Sequence, residues 1–183
     1  MKIKINQKAY YLIIGLFALI SFISIVLIVN QTNLLKNRQI IPTFKPQGAF
    51  TIEGNSEVGA SGSFQIQVIA DSDNRPANAI ALFIKFDPQK IKVINLDTSS
   101  SFCQFYPENK FDNDQGTISI QCGSPSPGFK GKDNIASIQF MPQTIGQTNI
   151  EILDTSLILL NDGKGENILS RGLIHPITIL NTI

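Results

Sequence analysis

The chain has no tryptophan and only one histidine, two cysteines and three tyrosines in 183 residues. Each scarcity removes a class of function. A lone His175 has no second imidazole with which to share a metal ion, and no Ser or Cys elbow accompanies it as nucleophile. Cys103 and Cys122 are too few for a four-cysteine zinc site. The patterns G-x-S-x-G and H-E-x-x-H do not occur. The segment Gly163-Lys164-Gly165-Glu166-Asn167 has glycines and a lysine without the spacing of a phosphate loop. Catalysis is therefore not the expected role.

Charge is scarce in two places. Residues 10–29, YYLIIGLFALISFISIVLIV, hold no charged side chain. The first 45 residues hold no acid, only Lys2, Lys4, Lys8, Lys36, Arg38 and Lys45. The remainder carries nine bases against fourteen acids, a balance of −5. A mildly acidic domain without a basic stripe excludes nucleic acid as the expected partner.

Twenty uncharged residues in a helix rise about 30 Å, the thickness of a bilayer's hydrocarbon core. Residues 10–29 are thus expected to form a transmembrane anchor, with Tyr10 and Tyr11 at the aromatic belt. A cleaved signal peptide is the alternative. It would have a shorter apolar region and a small-x-small site after it, where this chain has IVLIVNQTNLL. A pilin-like start would need a Glu near the head of the helix, and there is none. Lys2, Lys4 and Lys8 favour a cytoplasmic tail over 1–9. The localisation expected is single-pass in the cell membrane, with the C-terminal domain extracytoplasmic. Two cysteines in an exported domain are expected to form a disulfide, against the alternative of two buried thiols. Residues 30–47 read as a linker, extended by Pro42 and Pro46. Asn30-Gln31-Thr32 within it matches the glycosylation triplet, a frequent chance match.

Over residues 48–183 the dominant period is two. Phe64, Ile66, Val68 and Ala70 alternate with Gln65 and Gln67. Ile118, Ile120 and Cys122 alternate with Thr117, Ser119 and Gln121, and Ala136, Ile138 and Phe140 with Ser137 and Gln139. Ile150 and Ile152 share a face, and LIHPITIL closes the chain, its Pro176 marking an edge or bulge. Turn clusters such as DSDNRPAN, DNDQG and NDGKGEN separate these runs. Ile80, Leu82, Ile84 and Phe86 line one face of a strand that Pro88 must end, and Lys90 to Leu96 is expected to return as its hairpin partner. The fold class expected is all-β, an antiparallel β-sandwich of about nine strands preceded by one transmembrane α-helix.

Five segments in this order, VGASGSFQIQVIAD (58–71), ANAIALFIKFDPQKIKVINL (77–96), GTISIQCGSP (116–125), IASIQFMP (135–142) and LLNDGKGENIL (159–169), resemble the cohesin domain and its relatives among carbohydrate-binding β-sandwiches. The resemblance spans roughly residues 49 to 181. It implies a jelly-roll sandwich that acts as a docking module. In dockerin-holding cohesins the exposed face of the strand before the aromatic-Asp-Pro turn is polar. Here that face offers Ala79, Ala81, Phe83 and Lys85, so a surface protein other than a dockerin is the expected partner. Polysaccharide is the alternative, with Phe105 and Tyr106 as candidate glycan contacts. The chain implies no cofactor, with calcium left open: Asp71 and Asp73, and Asp112 and Asp114, cluster the oxygen ligands a hard cation needs. Both pairs also read as turns, since Asp and Asn bond their own backbone. A self-associating structural protein is a third reading.

Overall fold

Two-residue periodicity resolves into eleven strands: β1 (Ala49–Gly54), β2 (Glu57–Gly59), β3 (Phe64–Asp71), β4 (Ala77–Phe86), β5 (Ile91–Asp97), β6 (Phe105–Asp112), β7 (Thr117–Gly123), β8 (Lys132–Pro142), β9 (Gly146–Ile152), β10 (Leu157–Leu160) and β11 (Leu173–Leu180). The computed structural model describes residues 15–17, 19–27 and 47–181. The chain divides into two compact units, Met1–Phe44 and Lys45–Ile183. In the first, residues 15–17 and 19–27 are helical, and Ser24 Oγ donates to the Ile20 carbonyl at 2.8 Å. No helix among the described residues is long and apolar enough to cross a membrane. The anchor expected over 10–29 lies partly outside the described residues, and the tail over 1–9 and the linker up to residue 46 lie wholly outside them.

The second unit holds two sheets. The smaller has the order β1-β3-β8-β5, and the larger β2-β11-β9-β4-β7-β6, with β10 also pairing β4. All pairings are antiparallel except β2 with β11, which is parallel. Eleven strands stand where alternation predicts about nine. The segment before β3 is interrupted at Asn55 and Ser56, so β1 joins one sheet and β2 the other. The short run Leu157–Leu160 adds β10, four residues that alternation alone does not mark.

The alternating positions point as their pattern requires. Ile66, Val68 and Ala70 of β3, Ile118, Ile120 and Cys122 of β7, and Ala136, Ile138 and Phe140 of β8 are all buried between the sheets. Isoleucine dominates this core. Burying such a side chain contributes about 1.5–3 kcal/mol each. Phe140 sits at its centre, stacked on Phe64 at 5.5 Å and meeting Phe86 edge-on at 5.6 Å. Ile135 is buried beside Ala136, although simple alternation would turn it outward. A register shift at Val68/Ile69 explains this: β8 carries one extra residue there.

One expectation is corrected. β5 does not return beside β4; it pairs β8 in the opposite sheet. The Phe86-Asp87-Pro88 turn is therefore a crossover between layers. Asp87 Oδ1 accepts the Gln89 N–H at 2.9 Å, and the Asp87 carbonyl accepts from Lys90 and Ile91. Gly116 backs this turn with φ of 65°, and a Cβ there would strike the Phe86 carbonyl.

Candidate functional site: the outer face of the larger sheet

Because β4 alternates, burying Ile80, Leu82 and Ile84 forces Ala79, Ala81, Phe83 and Lys85 to the outer face. The three apolar residues are half-buried and Lys85 is exposed. Register extends this face sideways. Ala79 stands between Leu159 of β10 and Gly123 of β7, and Gly123 pairs in turn with Phe105 of β6. Ala81 stands between Leu157 and Gln121, and Phe83 lies opposite Ser119. Phe105, Ala79, Ala81, Leu157, Leu159 and Phe83 thus share one side of the sheet. Phe105 is 53% exposed.

Small side chains, Ala79, Ala81 and Gly123, occupy the middle of this face; Phe83, Leu157 and Leu159 are half-buried around them, and Phe105 is exposed. At Gly123 an added Cβ would come within 2.5 Å of Phe105 Cζ, so the ring rests on the glycine's bare backbone.

The neighbour of β4 changes along its length. β9 pairs with Ile84 to Phe86, and β10 with Ala77 to Ala81. Phe83 falls at the exchange point, where its backbone lacks a ladder partner on that side. The hydroxyl of Ser156, fully buried, accepts the Phe83 N–H at 3.0 Å, and Leu153 donates its N–H to the Phe83 carbonyl at 2.9 Å. These bonds satisfy the Phe83 backbone where β4 changes neighbours.

A polar group borders the apolar strip. Glu108 Oε2 accepts from Ser119 Oγ at 2.6 Å and from Gln121 Nε2 at 2.7 Å, and its other oxygen pairs with Lys110. The Lys110 hydrogen bond first, and that of Ser119 next, hold the Glu108 carboxyl below its ordinary value and keep it ionised. At the far end Lys85 donates to the Gln115 carbonyl at 2.6 Å and stands opposite Glu151.

The other residues singled out by sequence lie elsewhere. Tyr106 packs against the core and donates its hydroxyl to the Thr98 carbonyl at 3.2 Å. Phe105 and Tyr106 therefore serve different sides of β6 and form no joint platform. Cys103 and Cys122 are joined in a disulfide, both buried. Asp71 Oδ1 accepts the Asp73 N–H, and Asp112 Oδ1 accepts from Asp114 and Gln115. The leading carboxylate of each calcium candidate pair is thus a turn acceptor, and among the described residues no three His, Cys, Asp or Glu side chains gather as a metal site. His175 faces inward opposite Ile150, and burial lowers its pKa.

Leu157, Leu159, Gly123 and the Glu108 group were not read from the sequence as parts of this face. The only signal for the leucines was the four-residue run LILL, and its register against β4 is a tertiary fact.

No family model matches the chain, and no curated protein matches it. Solved structures do. A cohesin module from a family 33 glycoside hydrolase of Clostridium perfringens aligns with a TM-score of 0.60 at 14% identity, over 74% of this chain and 98% of the module. CaCohA2 from Clostridium acetobutylicum aligns with a TM-score of 0.62 at 14% identity, over 76% and 94%. The sixth cohesin of scaffoldin B from Acetivibrio cellulolyticus, solved in complex with a mutant Cel5 dockerin, gives 0.59 at 14%, over 73% and 99%. The sandwich is a divergent cohesin-like fold.

Proposed function

We propose, from the premise of a cohesin-like fold, that this chain is a binding module that docks a protein partner on the outer face of the larger sheet. The observation that carries the reading is the continuous apolar strip of half-buried Ala79, Ala81, Phe83, Leu157 and Leu159 that ends in the exposed ring of Phe105. An exposed apolar strip rimmed by polar groups is what a protein interface presents before it is covered. The strip contains no acid–base pair or nucleophile, so its means of action is shape and desolvation. The dockerin complex of the scaffoldin B cohesin supports docking as a use of this fold. The apolar character of β4 points to a partner with an apolar contact surface.

The same reading places the module outside the cell, carried by a membrane anchor over residues 10–29. The uncharged run and the basic flank support this, as does the disulfide, which belongs to an oxidising compartment. Protease treatment of intact cells should then digest the sandwich and spare the N-terminal tail; protection of both would sink the outward orientation.

Docking is tested with the full chain in detergent, its disulfide closed, immobilised on a column. Solubilised envelope extract is passed over it, and retained proteins are identified by mass spectrometry. Ala81→Glu puts an unpaired charge in the strip and should lower retention of a specific protein by about tenfold or more. Gln65→Glu, on the opposite sheet, should leave it unchanged. Equal retention by both variants would reject this face. Retention of polysaccharide without protein would replace the reading.

A further inference from the structure

The disulfide lies directly beneath the most exposed ring of the docking face. Cys122 is the residue before Gly123, and Cys103 is two residues before Phe105, so one short loop brings the bond and the ring to the same spot on β7. The segment before this point is tied down independently. Phe102 packs on Phe129 with centroids 4.2 Å apart, and Asn134 Nδ2 donates to Ser100 Oγ. The segment after it is tied by the regular β6–β7 ladder, which resumes at Glu108 after a register shift between Phe105 and Glu108. Across the gap, residues 103–105 are held to β7 by the disulfide, the Gln104 N–H on the Gly123 carbonyl at 2.8 Å, the ladder pairing of Phe105 with Gly123, and the Phe105 ring on that glycine.

We propose that the Cys103–Cys122 disulfide and Gly123 together form a seat that fixes Phe105 in the docking face, so that the face is completed only in the oxidised chain. The inference rests on the docking reading for its consequence, and on geometry alone for the seat. Closing the bond removes two electrons and two protons from the two thiols. A disulfide oxidant takes them and is itself reduced to two thiols. With the bond open, the covalent tie is gone, and residues 103–105 keep only the Gln104 hydrogen bond and the pairing and ring contact of Phe105 with Gly123 against the chain entropy of the loop that leads into β6. The glycine is the other half of the seat. Any side chain at 123 occupies the space where the ring now rests.

Absence of tryptophan makes the test direct. Phe105→Trp installs the only indole in the full chain, and the nanosecond decay of its fluorescence anisotropy reads whether the exposed ring is held, with no partner needed. Oxidised protein should show little fast decay. The Cys103→Ala/Cys122→Ala background and the Gly123→Val background should each raise the fast-decaying share about twofold or more, while the far-ultraviolet strand signal is unchanged. Equal decay in all three would overturn the seat. Loss of the strand signal in the double-alanine background, with little fast decay in the folded Gly123→Val background, would also overturn it and leave the bond as a general staple. If the seat is confirmed and oxidised and double-alanine chains retain the same protein equally on the column, the seat stands and its role in docking is rejected.

Discussion

The two sheets share one core and show water different faces. At the centre of the smaller sheet the outward positions are polar or charged: Gln65 stands opposite Gln139, and Gln67 opposite Ser137 on one side and Glu53 on the other, with Met141 the exposed apolar residue farther along β8, opposite Lys92. Gln139 also donates to Ser63 Oγ at 2.8 Å. On the larger sheet the corresponding positions of β4 and β10 are Ala79, Ala81, Phe83, Leu157 and Leu159. Both faces alternate in the same way, so backbone geometry does not distinguish them. The difference lies in what fills the outward half of each period. A face whose outward residues hydrate well is finished as it stands. One whose outward residues are apolar is stable in water only at a cost, which a partner would remove.

The deepest cut to the comparison removes what both faces rest on. Phe140→Ala takes away the ring between Phe64 and Phe86 and should destabilise the domain by about 3–5 kcal/mol, read from urea denaturation midpoints. An effect below about 1 kcal/mol would mean the core is not organised around this ring.

Ser156→Ala is the next largest. It strips the Phe83 N–H of its partner inside the larger sheet while leaving the smaller sheet intact. A loss of about 1–3 kcal/mol is expected. Hydrogen exchange should rise at Phe83 and Leu153 and stay unchanged in β3 and β8. Uniform exchange changes would show that the two faces do not respond separately.

The faces themselves are compared by Phe83→Ala and Gln65→Ala. The first should weaken partner retention by about tenfold, the second by nothing measurable, and each should change stability by no more than about 1 kcal/mol. Retention lost in the Gln65 variant instead would exchange the roles of the two sheets.

The smallest effect concerns pH. Burial lowers the His175 pKa below its ordinary 6.5. The unfolded chain therefore binds the proton first, and stability falls as pH drops through 6.5 toward the lowered value. Denaturation midpoints between about pH 7.5 and about pH 5.5 should decline, and His175→Leu should flatten the decline. A slope unchanged by the substitution would assign it to other groups. Below that window, Asp97, held low by hydrogen bonds from Ser99, and Glu108 add their own losses as they protonate.

Much of this was legible in residue order. The inward sets of β3, β7, β8 and β9 follow from alternation, since a strand has two faces and only one can be dry. The pairing of Cys103 with Cys122 followed from their number together with the expectation, read from the uncharged run over 10–29, of an exported domain. Legibility failed where a neighbour decides the outcome. Ile135 is buried because β8 bulges against β3, and the Phe86-Asp87-Pro88 turn looks like a hairpin until β5 is seen to pair with β8. Tyr106 and Phe105 are adjacent letters that serve different sides.

What the sequence alone determined is the class of the domain, most of its core and the apolar face of β4. These depend on local period and on the chemistry of single side chains. Only the tertiary structure decided that Leu157, Leu159 and Phe105 join that face, that Ser156 closes the gap beside Phe83, and that the disulfide lies under the exposed ring. Those depend on register between strands distant in the chain, where a shift of one residue would turn every side chain to the other face.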